Sequence, residues 1–208
     1  MQFVLASASP ARLAVLRAAG VDPIVRVSGV DEDAVAERLD DPSPEQLVLA
    51  LARAKAEAVA AEIAAEHPDA VVVGCDSMLS FGGDVLGKPG TAEVARERWH
   101  QMAGGTGELL TGHAVLRLDG GTATKETAAT ETTVVRFASP TEHELDAYLA
   151  TGEPLAVAGG FTIDGLGGWF VAGIDGDPST VIGISLPLTR RLLGEVGVSV
   201  VDLWRPGG

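Results

Sequence analysis

The chain has 208 residues, 46 % hydrophobic and 21 % charged, which is enough to bury a core and is unlike a disordered composition. Its formal charge of −14, from 15 basic and 29 acidic residues, argues against broad attraction to nucleic acid or an anionic membrane, so any anionic ligand must be held locally. No run approaches the roughly 20 apolar residues of a membrane-spanning helix, and a single cysteine, Cys75, excludes an internal disulfide and fits a reducing cytoplasm.

The start, "MQFVLASASPARL", lacks the basic region of a secretion signal and reads instead as a strand (2–7) entering a helix. Ser9 suits the N-cap, Pro10 the first turn and Gly20 the residue past the end. The acidic run "DEDAVAERLDD" reads as a solvated face or lid. A helix follows over 43–66, opened by the capping box of Ser43 and Gln46 and stopped at His67-Pro68. "AVVVG" (70–74) is a fully buried strand, and a hairpin turns at Gly82-Gly83. A helix runs from Thr91 to about Met102, and a second hairpin turns at Gly120-Gly121. Ser139-Pro140 with Glu142 caps the next helix, which ends at Gly152; a glycine-rich strand region (158–176) and a helix near 187–195 complete the chain. This alternation predicts an α/β protein with a mixed sheet, without repeats or a linker, as one domain over 1–208 with two lobes. Trp99, Trp169 and Trp204 read as packing residues.

Three places carry the residue types that chemistry needs, and each also has a purely structural reading. In "SASPAR", Ser7 and Ser9 lie where a strand gives way to a helix start, a natural seat for phosphate over which Arg12 can close as a two-pronged fork; the alternative is a plain Ser-Pro cap, as at 43–44 and 139–140. Lys55 falls in one helical row with Leu47, Leu51 and Val59, so it either snorkels to an edge or reaches an anion in a polar cleft. Asp76 stands just past a buried strand, and a turn at Gly82-Gly83 brings Lys88 within a residue of facing it, as a base beside a cation or as a structural ion pair. The four histidines are dispersed, so a metal here is hard and oxygen-bound: Mg²⁺ or Mn²⁺ on Asp76 and phosphates, with Glu32 as a further ligand.

"LASASPARLAVLRAAG", "VDED", "LARAKAEAVA", "VVVGCDSMLSFGGDVLGKP", "GELLTGHAVL" and "GEPLAVAGGFTIDGLGGWFVAGIDGDPSTVIGISLPL" resemble, in order and spacing, the motifs of the Maf-like family across nearly the whole chain. The resemblance implies a mixed, strongly twisted sheet with helices on both faces, akin to inosine triphosphatases, around a central cleft. It also implies hydrolysis of nucleoside triphosphates to monophosphate and pyrophosphate with a divalent cation, in the cytoplasm, by a homodimer that clears unwanted nucleotides, with some members linked to arrest of cell division. Carried over residue by residue, the general base is Asp76, the phosphate-binding residues are Ser7, Ser9, Arg12, Lys55 and Lys88, and the acidic residue near the site is Glu32. Base selectivity in the family is associated with the positions of Ala11, Ser77 and Asp164, where this chain departs from the common arginine, threonine or glutamine, and glutamine; Val157 also replaces a common lysine. Those losses of charge keep open a second reading, a nucleotide-sensing regulatory protein with little turnover, and a weaker third, a nucleotidyl transferase.

Overall fold

In the computed structural model, residues 1–205 are described. The chain forms two compact units: Met1–Asp76 with Thr111–Glu131 and the chain from Gly183 onward, and Ser77–Leu110 with Thr132–Ile182.

In the first unit, strand β1 (Gln2–Ala6) pairs in parallel with β2 (Ile24–Arg26) on one side and with β3 (Ala70–Phe81) on the other. The strand order continues through β5 (Thr106–Asp119) to β6 (Thr122–Phe137). Side chains on a strand alternate between faces, and the packing separates them accordingly. Phe3, Leu5, Val71, Val73 and Cys75 join Leu16 of helix α1 (Pro10–Ala18) and Leu188, Leu192 and Leu193 of α7 (Leu186–Glu195). Val4, Ala6, Ala70 and Val72 join Ala52, Ala56, Val59 and Ile63 of α3 (Pro44–Ile63). Helices therefore cover both faces of this sheet.

The expected capping box of α3 forms: the Ser43 hydroxyl accepts from the Gln46 N–H, and the Gln46 side chain accepts from the Ser43 N–H at 2.9 Å. Two glycines let α3 lie against the sheet. A Cβ on Gly74 would fall 2.4 Å from the Ala52 carbonyl oxygen, and one on Gly112 only 2.3 Å from that of Val48. The acidic run contributes a short helix, α2 (Glu32–Ala36), whose N-cap Asp31 accepts from the Ala34 N–H at 3.0 Å.

In the second unit, β4 (Asp84–Leu86) pairs antiparallel with the end of β3 across the Gly82-Gly83 turn, and β7 (Val171–Asp175) pairs antiparallel with β6. Trp99 of α4 (Ala92–Met102) is almost fully buried and meets Phe137, Tyr148 and Phe170 edge-on, while its indole N–H donates to the Gly160 carbonyl at 2.8 Å. Helix α5 (Glu142–Ala150) closes this cluster through Leu145 and Leu149, and α6 (Pro178–Ile182) is a single short turn.

Several expectations need correction. Strand β3 runs on to Phe81, seven residues beyond the expected apolar stretch. The cap of α5 is Thr141 with Glu144, whose carboxylate reaches back to the Thr141 N–H at 2.7 Å, instead of Ser139 with Glu142. The 158–176 region is a strand only over Val171–Asp175. Before it come 3-10 turns in which Gly159 and Gly160 adopt φ of 70° and 73°, a left-handed backbone that a strand excludes. Trp169 is 84 % exposed and Trp204 53 % exposed, so of the three tryptophans only Trp99 serves mainly as core.

Candidate functional site

Where β3 leaves the first unit, its unbroken buried run ends with Cys75 and Asp76. Asp76 is 7 % exposed, and one carboxylate oxygen accepts from Lys55 Nζ at 2.5 Å. Lys55 comes from the middle of α3's apolar face, so it reaches an anion and does not simply snorkel outward. The same ammonium lies 2.7 Å from Glu32 Oε1, which arrives from α2 and is half exposed. The hairpin ladder between β3 and β4 runs from Phe81–Asp84 to Leu79–Leu86. Lys88 is exposed and lies two residues past the end of β4.

Burial pushes the Asp76 carboxyl above its ordinary value; Lys55, by charge and hydrogen bond, and Arg12, by charge, pull the other way, while Glu32 adds to the rise. The net direction is upward, as expected for a nearly enclosed acid whose closest cation it shares with a second carboxylate. The neighbouring Cys75 thiol is pushed up to about 11, chiefly by burial, and is inert at neutral pH.

The start of α1 supplies the next components. Ser9 caps the helix by accepting from the Arg12 N–H at 3.4 Å, and Ser7 Oγ accepts from the Ser9 N–H at 3.2 Å. Arg12 turns inward: Nε donates to the Gly183 carbonyl at 2.7 Å, and Nη1 donates to the Cys75 carbonyl and to Ser7 Oγ, each at 2.9 Å. A hydroxyl offers two lone pairs and one O–H. Ser7 therefore uses its acceptor capacity on the protein, and its O–H is what it has to offer a ligand.

One unit thus brings together Ser7, Ser9, Arg12, Glu32, Lys55 and Asp76, with the half-buried Ala11 on the first turn of α1. Ser77, Lys88 and Asp164 belong to the other unit, where Ser77 is half-buried and Asp164 exposed.

The family model described as Maf-like protein matches residues 2–196. The chain belongs to the Maf-like family. Among its relatives, the nucleoside triphosphate pyrophosphatase of Saccharopolyspora erythraea is 69 % identical over 99 % of this chain and 98 % of its own. Proteins of the same name from Nocardia farcinica and Rhodococcus jostii are 66 % and 63 % identical, over 98 % and 99 % of this chain and 96 % and 97 % of theirs. A solved dITP/XTP pyrophosphatase from Mycobacterium abscessus aligns over 73 % of this chain and 94 % of its own at 18 % identity and a TM-score of 0.32, too distant to bear on the argument.

The donor set of this Maf-like chain suits a hard cation. Asp76 Oδ1 and Glu32 Oε1 already converge on one positive point, the Lys55 ammonium. Two carboxylate oxygens are what Mg²⁺ commonly takes from protein when a substrate's phosphates and water complete its shell. Among the described residues no group of three or more His, Cys, Asp or Glu side chains gathers for a metal.

Sequence reasoning overlooked one residue of this Maf-like chain, Glu153. Its Oε1 accepts from Thr162 Oγ1 at 2.5 Å and from the Gly167 N–H at 3.0 Å, and its Oε2 accepts from the Leu166 N–H at 3.1 Å. Burial alone would raise this carboxyl, but the bonds from Thr162, Gly167 and Leu166 outweigh it and hold it below the ordinary value. The turn bearing Asp164 is therefore folded around an internal carboxylate, which no local pattern announces because donors and acceptor lie 9 to 14 positions apart. Glu153→Ala is expected to cost about 1.5 to 3 kcal/mol, the usual worth of hydrogen bonds to a charged group. Faster amide exchange at Leu166 and Gly167 is the direct readout. Since the folded carboxyl is the more acidic, its stabilisation is present above the unfolded value and fades as pH falls through the folded one.

Proposed function

We propose that the protein hydrolyses nucleoside triphosphates to the monophosphate and pyrophosphate. The observation that carries this reading is the enclosed Lys55–Asp76 pair beside the serine-rich start of α1. The shared name of its relatives supports the same chemistry. Asp76 takes a proton from water; the water oxygen bonds to the α-phosphorus as the bond from that phosphorus to the bridging oxygen breaks, and pyrophosphate leaves. Lys55 and Lys88 offset charge on the phosphates, and the Ser7 and Ser9 hydroxyls with the helix start contribute hydrogen bonds. Glu32 and Asp76 would hold a divalent cation, Mg²⁺ or Mn²⁺, which supplies neutralisation of phosphate charge.

Base selectivity belongs to Ala11, Ser77 and Asp164. A carboxylate only accepts hydrogen bonds when ionised, so Asp164 favours a base edge bearing an amino group over thymine or uracil. The reading extends to a homodimer that clears unwanted nucleotides in the cytoplasm, with a link to arrest of cell division.

Pyrophosphate release from ATP, GTP, CTP, UTP and dTTP, with Mg²⁺, with Mn²⁺ and with chelator, tests the proposal. Turnover by water alone that chelator abolishes is expected, and dTTP as the best substrate would count against the role of Asp164. Binding without turnover would favour the nucleotide-sensing alternative, for which the missing basic residues at Ala11 and Val157 are the specific observation. Turnover that requires an acceptor other than water would indicate nucleotidyl transfer.

A further inference from the structure

Arg12 is one of the few charged side chains nearly withdrawn from solvent, at 9 % exposure, and three of its hydrogen bonds tie it to segments that include ones remote in sequence. Cys75 lies 63 positions away and Gly183 171 positions away. A guanidinium grips phosphate best through two parallel N–H groups on one edge, either Nε with Nη2 or Nη1 with Nη2. In this chain Nε is engaged by the Gly183 carbonyl, which interrupts the first edge. Nη1 serves both the Cys75 carbonyl and Ser7 Oγ, which uses both of its hydrogens and interrupts the second. The inward geometry suits a tie between chain segments.

The segments it ties are the ones that carry the chemistry. Cys75 precedes Asp76, Ser7 opens the turn into α1, and Gly183 leads to Ser185, the N-cap of α7. The two carbonyls are neutral, so the guanidinium charge is left to act on its surroundings, and it favours the ionised form of Asp76. We propose that Arg12 is a positioning residue: it fixes the Cys75–Asp76 corner against the start of α1 and residue 183, and does not clamp the substrate's phosphates. This rests on the pyrophosphatase reading above.

Steady-state pyrophosphate release by the full chain separates the two roles, using Arg12→Ala and Arg12→Lys. Positioning predicts a fall in kcat of about 100-fold, the scale of a 1 Å misplacement of a catalytic group. It also predicts a KM for the triphosphate within about threefold of wild type, because ground-state binding is untouched. Lysine restores the charge but cannot span three acceptors, so it fails to rescue kcat. A larger rise in KM in either variant, or rescue of kcat by lysine, overturns the proposal. Should the variants not fold, the wild-type protein still decides the matter by NMR of the Arg12 Nε–H at saturating tripolyphosphate. A slowly exchanging, unshifted signal supports the tie to Gly183, and a large shift on adding tripolyphosphate overturns it. Absence of turnover in wild type would defeat the pyrophosphatase reading, and the tripolyphosphate measurement would still settle whether Arg12 ties or grips.

Discussion

Asp76→Asn is expected to slow pyrophosphate release by at least about 10²-fold, the lower end of what a positioned general base contributes. It should leave the fold intact. Asparagine matches the shape of aspartate and keeps an oxygen for the Lys55 ammonium, but it cannot take a proton from water. Stability and pH supply a sharper signature than rate. Burial, outweighing Lys55 and Arg12, makes the folded carboxyl a weaker acid than the unfolded one, whose ordinary value is 3.8. The folded state therefore holds that proton more tightly, which favours folding below the unfolded value and is lost as pH rises through the folded value. At neutral pH the ionised Asp76 is a net cost to the fold, and asparagine removes it. The variant's Tm should equal or exceed that of wild type at pH 7, and the difference should vanish in acid. In wild type the acid limb of kcat/KM should lie above the ordinary aspartate value. A variant that keeps turnover, or a limb at or below 3.8, would remove Asp76 from the role of base.

The parts of this site that sequence reveals are those with a local cause. The capping box at Ser43 and Gln46 fixes where α3 begins, and hence that Lys55 lies on its apolar face. The apolar run that stops at Asp76 marks the end of the unbroken buried part of β3 and not of the strand: beyond residue 74 small and polar residues (Asp76, Ser77, Ser80) interrupt the hydrophobic signal while backbone pairing persists to Phe81. What is not legible is which distant groups meet. Hairpin geometry brings Lys88 within a residue of facing Asp76. It does not announce the ammonium that bonds Asp76, which comes from 21 positions upstream. The inward turn of Arg12 is likewise set by a carbonyl 171 positions away. Ser139 and Thr141 both satisfy the capping-box pattern, and only the reach of Glu144 back to the Thr141 N–H selects between them. In the 158–176 stretch, positive φ at consecutive glycines decides against a strand, and composition alone does not contain that choice.

The contact between Lys55 and Asp76 depends on a residue with no side chain. Gly74 lies two positions before Asp76 and faces α3 at Ala52, about one turn before Lys55, and at Ala56, the residue directly after it. A Cβ there would lie 2.4 Å from the Ala52 carbonyl oxygen, 2.9 Å from the Ala56 nitrogen and 3.0 Å from the Ala56 Cβ. Two of these three neighbours are backbone, so no rotamer change relieves the clash; the helix or the strand must move. Gly74→Ala should therefore cost at least about 1 to 3 kcal/mol, the range for overpacking a well-filled core, and appear as a lower Tm. Gly194→Ala is the matched control. It lies in α7, its added Cβ would meet nothing within 4 Å, and alanine is the better helix former, so Tm should hold or rise. A helix displaced by even 1 Å carries the ammonium off the carboxylate, and misplacement on that scale costs about 10²-fold in rate. The folded fraction of Gly74→Ala should thus lose kcat out of proportion to its loss of stability, whereas Gly194→Ala keeps its activity. Equal Tm and equal kcat in Gly74→Ala and wild type would mean that α3 does not rest on this strand and that close backbone packing is not what places Lys55 on Asp76.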